Sequence, residues 1–443
     1  MEPGLRRRLL PFFSVLLAAS PALGETWTLE ECRETARLQH PEAAISRSLT
    51  AAAAARRAIA FSGFLPRASA QGSFLVGRGT GGSSLGVVGT DRNVSGSGAF
   101  FGPADFEIWT ANLSLQQTVW DFGRTLNRYR LAQAEARRAL AQQQLAEELV
   151  DVAAEAAFRT ALAADELVAA MTESLRQAKA HLSLARGRAE VGMAAPYDVS
   201  RAEVEVAQAE VRVIQAENGR ELALAQLAIA CGLDALPEGV TLGEAPPRAI
   251  PELPSLEAAL EEAMEALPEM RAARAAVEAA ERAYDASLSE LYPSFDLSGT
   301  ASLRGREFDD LRPGWTAVAS LSVPLLNGGG DLARIREQRA LLATAQAEFI
   351  QLRRALRLDL ETALLAVQEA SARLAAAEAM ERSAAQGLSL AEGRYQTGLG
   401  SALELADAQS QLANARAERV QSALDLSISL ARLERLLGRW SSG

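Results

Sequence analysis

The sequence predicts an α+β chain built from two tandem copies of one unit, which together supply four barrel-type strands and very long coiled-coil helices. Three observations predict it. Segments 206 residues apart match one another, four short runs alternate with period two, and two stretches of about sixty residues lack any helix breaker.

The duplication is legible at several points. "LSLARGRAEVGMAAPYDV" from Leu182 answers "LSLAEGRYQTGLGSALEL" from Leu388, each reading helix, glycine corner, helix. At the same offset "WTANLSLQQTVWDFGRTLNRYR" from Trp109 answers "WTAVASLSVPLLNGGGDLARIR" from Trp315, and Gly232 falls on Gly438. Upstream the offset becomes 227, with Pro41 on Pro268, Pro66 on Pro293 and Leu29-Glu30 on Leu256-Glu257. The difference is an insertion in the first copy, rich in Gly and Ser, which reads as a long loop over 77–105.

In chain order, "MEPGLRRR" is a basic segment, "LLPFFSVLLAA" an apolar one, and Ala22-Leu23-Gly24 a small-x-small site, so residues 1–24 read as a signal peptide. Cys32 is not at that junction, which argues against a lipid anchor. The first repeat then covers 25–255, with strands at about 66–76 and 107–119, helices at 124–190 and 198–231, and a linker over 232–255. The second covers 256–443, with strands at about 293–304 and 315–325 and helices at 331–396 and 402–437. Short helices over 41–63 and 268–290 precede the strands.

Each strand separates apolar from polar residues. Phe295, Leu297, Gly299, Ala301 and Leu303 share one face, and Ser294, Asp296, Ser298, Thr300 and Ser302 the other. Runs of about ten such residues suit a tilted strand with lipid outside and a polar lumen inside. Four strands are too few to close a barrel, since small ones need about eight, so several chains would share one. The helical stretches of about 65 residues predict rods of about 100 Å. Along the first, Val168, Met171, Leu175, Ala178, Leu182, Ala185 and Ala189 recur at alternating three and four, followed after the corner by Val199, Ala202, Val206, Ala209, Val213 and Ala216. That is a coiled-coil seam whose alanines permit close approach.

Composition excludes several functions. The net charge of −11 argues against a nucleic-acid partner. Two cysteines and two histidines at unrelated spacings make no metal site, and no nucleophile triad or phosphate loop presents itself. No catalytic residue, metal or cofactor is therefore expected. Whether Cys32 and Cys231 pair stays open, since exported proteins permit oxidation but sequence carries no geometry.

"TLEEC…HPE", "GFLPRASAQGSF", "LSLQQTVWDFGR" and the corner "GMAAPYDVSRAEVEVAQAEV", in order and twice over, resemble the TolC-like outer-membrane efflux protein family. The resemblance covers essentially the whole mature chain. It implies a homotrimer forming a 12-stranded outer-membrane β-barrel, continued by a periplasmic α-helical barrel. It further implies a passive exit duct for drugs, metals or proteins, in contact with outer-membrane lipid. The duct would dock to a periplasmic adaptor (membrane fusion) protein and an inner-membrane pump of RND, ABC or MFS type. By the same resemblance Asp198 and Tyr395 match gate residues of the closed helical tip. The position of the family's lock arginine holds Gly400, so the lock differs here. Glu404 and Asp407 match a cation-selecting acidic ring in the lumen, and Gly192, Met193, Gly398, Leu399 and Ser401 match the adaptor contact. The rival readings are a periplasmic coiled-coil adaptor, which would carry one hairpin instead of two, and a secreted structural coiled coil.

Overall fold

The computed structural model describes residues 26–80, 103–192, 195–237, 239–246 and 248–440. The signal segment and most of the inserted loop lie outside the described residues. The fold repeats one pattern twice. The first copy runs β1 (Thr26–Trp27), α1 (Leu29–Gln39), α2 (Pro41–Phe61), β2 (Arg67–Thr80), β3 (Pro103–Trp120), α3 (Arg124–Glu190) and α4 (Pro196–Ala230). The linker carries β4 (Thr241–Leu242). The second copy runs α5 (Leu256–Ala266), α6 (Pro268–Ser289), β5 (Ser294–Gly305), β6 (Arg312–Ser322), α7 (Gly330–Gln396) and α8 (Ala402–Leu436).

Backbone geometry records the duplication directly. Left-handed residues recur at the 206 offset: Phe122 (φ 53°) and Gly328 (59°), Gly123 (86°) and Gly329 (81°), Gly192 (74°) and Gly398 (77°), Gly232 (76°) and Gly438 (71°). Phe122 is the one that carries a side chain in a region disfavoured for it. Its ring stacks on Tyr292 at 5.3 Å, and the preceding Asp121 accepts from Thr125 N at 2.8 Å, starting α3. Those contacts hold the turn that glycine makes without strain in the second copy.

The repeats are not the compact units of the molecule. One unit gathers Ser48–Gln142 and Pro268–Arg353; the other gathers Met1–Arg47, Gln143–Leu267 and Arg354–Gly443. Each therefore draws on both copies, because β3 of the first pairs with β5 of the second.

The strand unit is a four-stranded antiparallel sheet in the order β2-β3-β5-β6. Register carries the alternation across all four strands. Ala70, Leu113, Ala301 and Trp315 form one row, and Ala68, Leu115, Gly299 and Ala317 another, all on one face. Ser69, Ser114, Thr300 and Thr316 lie on the opposite face, where Ser69 and Ser114 share a 2.7 Å hydrogen bond and Ser73 and Thr110 one of 2.6 Å. A slip of one residue in any strand would exchange the two faces. Three strands differ in their bounds from the expected ones. β2 and β3 extend by several residues into the segment read as loop, since antiparallel pairing continues from Val76↔Glu107 out to Thr80↔Pro103. β6 begins at Arg312, opposite Arg304, and ends at Ser322, short of Pro324, which has no N–H to give a ladder.

The helical unit holds the core. Trp27, Leu29, Cys32, Ala36, Phe158, Leu227 and Cys231 are among its buried members. Burying Phe158 and Leu227 contributes about 1.5–3 kcal/mol each. Thr28 and Glu31 form a reciprocal capping box at the start of α1, and β1 pairs in parallel with β4. The coiled-coil seam appears as heptads of alanine: Ala202, Ala209, Ala216 and Ala223 on α4 are closed to solvent, as are Met171, Ala178 and Ala185 on α3. The intervening Val199, Val206 and Val213 are half-buried. Small residues at the closed positions are what let the helices approach.

Candidate functional site

The two helical corners lie in the helical unit, and the second is described throughout. Its α7 ends in a left-handed Gly398, whose N–H donates to the Tyr395 carbonyl at 3.1 Å. Leu399 N and Gly400 N both donate to the Arg394 carbonyl at 2.9 Å, satisfying the orphan carbonyls of the helix end. Ser401 then caps α8, accepting from Glu404 N at 3.1 Å. In the first corner Pro196 opens α4, and Asp198 reaches back to accept from Ala195 N at 3.2 Å.

Tyr395 is the last closed position on its heptad line, following Leu360, Val367 and Leu388 at multiples of seven. It is 4% exposed and packs with Leu388, Ala391, Ala402 and Leu405. Helix α3 covers it from the other side. His181 meets the ring edge-on at 5.1 Å, and the Arg188 guanidinium lies 4.9 Å above it. Arg188 also donates from Nη1 to the Tyr395 carbonyl at 2.7 Å and from Nη2 to the Gln396 carbonyl at 3.0 Å. A cation at the C-terminus of α7 thus joins the two corners by charge, hydrogen bond and ring contact together. The Tyr395 hydroxyl is buried and has no hydrogen-bond partner among the described residues.

Asp198 and Tyr395 are not joined by any described hydrogen bond; Asp198 spends its carboxylate on its own helix start. Position 400 is tight for a side chain. A Cβ built on Gly400 meets Arg394 Cβ and Tyr395 N at 3.0 Å, so any side chain there presses on the end of α7 and requires it to give by a few tenths of an ångström. Arg188 is the residue that ties the two corners together at this point. Repeat alignment carried a signal for it, since Arg188 and Arg394 fall on one another at the 206 offset.

Glu404 and Asp407 on α8 are exposed, and each faces an arginine. Glu404 lies 3.2 Å from Arg394 Nε, and Asp407 lies 3.8 Å from Arg201. Arg201 also approaches Glu205 at 3.7 Å, and Glu205 stands 3.6 Å from His181 Nδ1. Gly192, Gly398, Leu399 and Ser401 are exposed, Leu399 at 78%. Met193 lies outside the described residues.

A second ionic cluster sits deep in the same unit. Glu155 is fully buried and accepts from Arg159 Nε at 2.8 Å, Arg248 Nε at 3.0 Å and Arg248 Nη2 at 2.8 Å. Burial alone would raise its carboxyl, but the hydrogen bonds from Arg248 and Arg159 outweigh that and hold it below the usual carboxylate range. Arg248 also contacts Glu434, and Trp440 is held between Arg248 at 5.1 Å and Arg33 at 5.0 Å.

In the strand unit, aromatics collect at both ends of the sheet. Phe74 meets Trp109 at 4.4 Å and Trp109 meets Phe308 at 5.5 Å; Trp120, Phe122 and Tyr292 form the other group. Trp109 to Trp120 is a rise of about 36 Å along the strand, or about 25 Å if tilted by about 45°, the height of an outer-membrane apolar band. No described helix is long and apolar enough to cross a membrane, and no group of three or more metal-ligating side chains occurs among the described residues.

A family model described as outer membrane efflux protein matches residues 33–233 and 259–439. Among solved structures, a membrane protein from Pseudomonas aeruginosa is similar at 19% identity, with 92% of this chain and 93% of that chain covered and a TM-score of 0.79. The CmeC outer membrane channel of Campylobacter jejuni is similar at 16% identity, with 93% and 85% covered and a TM-score of 0.79. The open state of the MtrE outer membrane channel of Neisseria gonorrhoeae is similar at 18% identity, with 93% and 88% covered and a TM-score of 0.78. No curated protein matches the chain.

Proposed function

Because the chain belongs to the outer membrane efflux protein family, with the TolC-like channel fold, we propose that it forms a homotrimeric exit duct gated at its helical corners. One observation carries the assembly. The sheet has an apolar face bounded by aromatics, yet its edge strands β2 and β6 have no partner among the described residues. A bilayer leaves no water to satisfy those backbone groups, so a spanning sheet must close. Pairing β2 of one chain with β6 of the next closes it, and three copies give twelve strands.

The duct does no chemistry. Cargo passes through a lumen lined by the polar strand face, driven by a pump in the inner membrane and reached through a periplasmic adaptor. The exposed Gly192, Gly398, Leu399 and Ser401, with Met193, are the surface for the adaptor. The gate is the joint between the two corners, with Arg188 holding the end of α7 and Tyr395 filling the space between the helices. Glu404 and Asp407 form the acidic narrowing. Their pairs with Arg394 and Arg201 are solvent-exposed and worth about 0–1 kcal/mol, so the carboxylates stay available to passing cations.

Fractionation and mass measurement test this reading. The mature protein should require detergent for extraction, sediment as three chains and conduct ions in planar bilayers. Recovery as a soluble protein without detergent would overturn it.

A further inference from the structure

We propose that Cys32 and Cys231 are joined by a disulfide bond in the exported protein, tying α1 to the C-terminal end of α4 and closing the first repeat covalently. Both are thiols buried without any exposure, and their sulfurs lie 2.7 Å apart. That is nearer than unbonded sulfurs rest, and a small side-chain adjustment reaches the ~2.05 Å of a formed bond. The backbones around them are already in contact. A Cβ built on Gly232 would meet His40 N at 2.7 Å, and β1 pairs with β4 on the same core.

The second repeat shows what this core needs when no bond is made. At the repeat offsets Cys32 falls on Ala259 and Cys231 on Leu437, also fully closed, and the Gly438 corner approaches Ala266 as Gly232 approaches the end of α1. An alanine and a leucine fill the site there, so packing alone does not call for two sulfurs. Both cysteines of the chain lie at this one site, although they stand 199 residues apart. The helical unit of an outer-membrane protein lies in the exported compartment, where disulfides form and persist.

The bond forms by exchange. A thiolate of one cysteine attacks the disulfide of an exported dithiol–disulfide oxidant, whose departing sulfur leaves as a thiolate. The second cysteine then displaces the oxidant from the mixed disulfide. Two thiols lose two protons and two electrons, and the oxidant is left as a dithiol. The hydrogen bond with Cys231 and burial push the Cys32 thiol up, so the folded core disfavours the attacking thiolate. Both cysteines are closed to solvent in the folded core, so exchange precedes docking of α1, and the closed core then shields the bond from reductant.

The test uses the full chain in its own membrane. Cells are quenched with acid, denatured, alkylated and digested without reductant. A peptide pair linking residues 32 and 231, with neither thiol alkylated, is the expected result; alkylation of both in most molecules overturns the proposal. As a folding control, Cys32→Ala with Cys231→Leu installs the residues of the second repeat. The purified wild type should unfold several degrees lower once reduced under denaturing cycling, whereas this variant should be indifferent to reductant. Equal indifference of the wild type would also overturn it.

Discussion

The Arg188 guanidinium donates to the carbonyl of Tyr395 at 2.7 Å while standing 4.9 Å above the ring of the same residue. One side chain of the first repeat thus grips both the backbone end and the aromatic side chain of the second. Removing it frees the two corners from each other without emptying the core. Arg188→Ala should raise single-channel conductance of the purified trimer in planar bilayers, with a loss of about 1–2 kcal/mol in stability. Unchanged conductance would remove Arg188 from the gate.

Tyr395 should act through its ring. Its hydroxyl is buried without a described partner, an arrangement that costs about 1–3 kcal/mol. Tyr395→Phe should therefore keep or raise the unfolding temperature, whereas Tyr395→Ala should lose about 3–5 kcal/mol by opening a cavity. A lower unfolding temperature for the phenylalanine variant would mean that the hydroxyl is bonded in the assembly.

Gly400 should resist any side chain. Gly400→Arg, which restores the family's expected residue, should not strengthen closure, because its Cβ presses on Arg394 Cβ and Tyr395 N at 3.0 Å and pushes at the turn. Gly400→Arg and Gly400→Ala should both lower the unfolding temperature, since the tight contact is made by the Cβ they share. Tighter closure in Gly400→Arg, read as lower conductance at undiminished stability, would refute the steric argument.

The acidic pair should be sensitive to salt. Glu404→Gln with Asp407→Asn should reduce cation preference, most clearly at low ionic strength, where the Debye length exceeds about 10 Å. Reversal potentials under a salt gradient measure this, and equal selectivity in the variant would exclude the ring.

Glu155 sets a pH limit on the helical unit. Its carboxyl is held below its ordinary value, so its contribution is present above the ordinary value of the unfolded chain and is lost as pH falls through the folded one. Glu155→Gln should cost about 3–5 kcal/mol near neutrality, because it strands buried arginine charge. The gap between wild type and variant should narrow only in acid. A gap independent of pH would show that packing, not charge, makes the difference.

Much of the fold was legible because its signals are local. The alternation in "PSFDLSGTASLR" follows from the pleat, and the seam from Val168 to Ala216 follows from the helical period. Glycines at 192, 232, 398 and 438 marked the corners because each adopts a conformation that a side chain resists. The proposed gate was less legible. Asp198 and Tyr395 stood out by resemblance, but the partner of Tyr395 is Arg188, 207 residues away, and the carboxylates of α8 have arginines beside them.

The sequence by itself determined the duplication, the two periodicities, the corners and the family, since each depends on residues close in the chain or on a fixed offset. Only the tertiary structure decided that strands of both repeats share one sheet, that Arg188 meets Tyr395, and that Cys32 meets Cys231. Those contacts close loops of about two hundred residues. Which groups meet across such loops is set by how whole helices and strands pack, and local spacing carries no record of it.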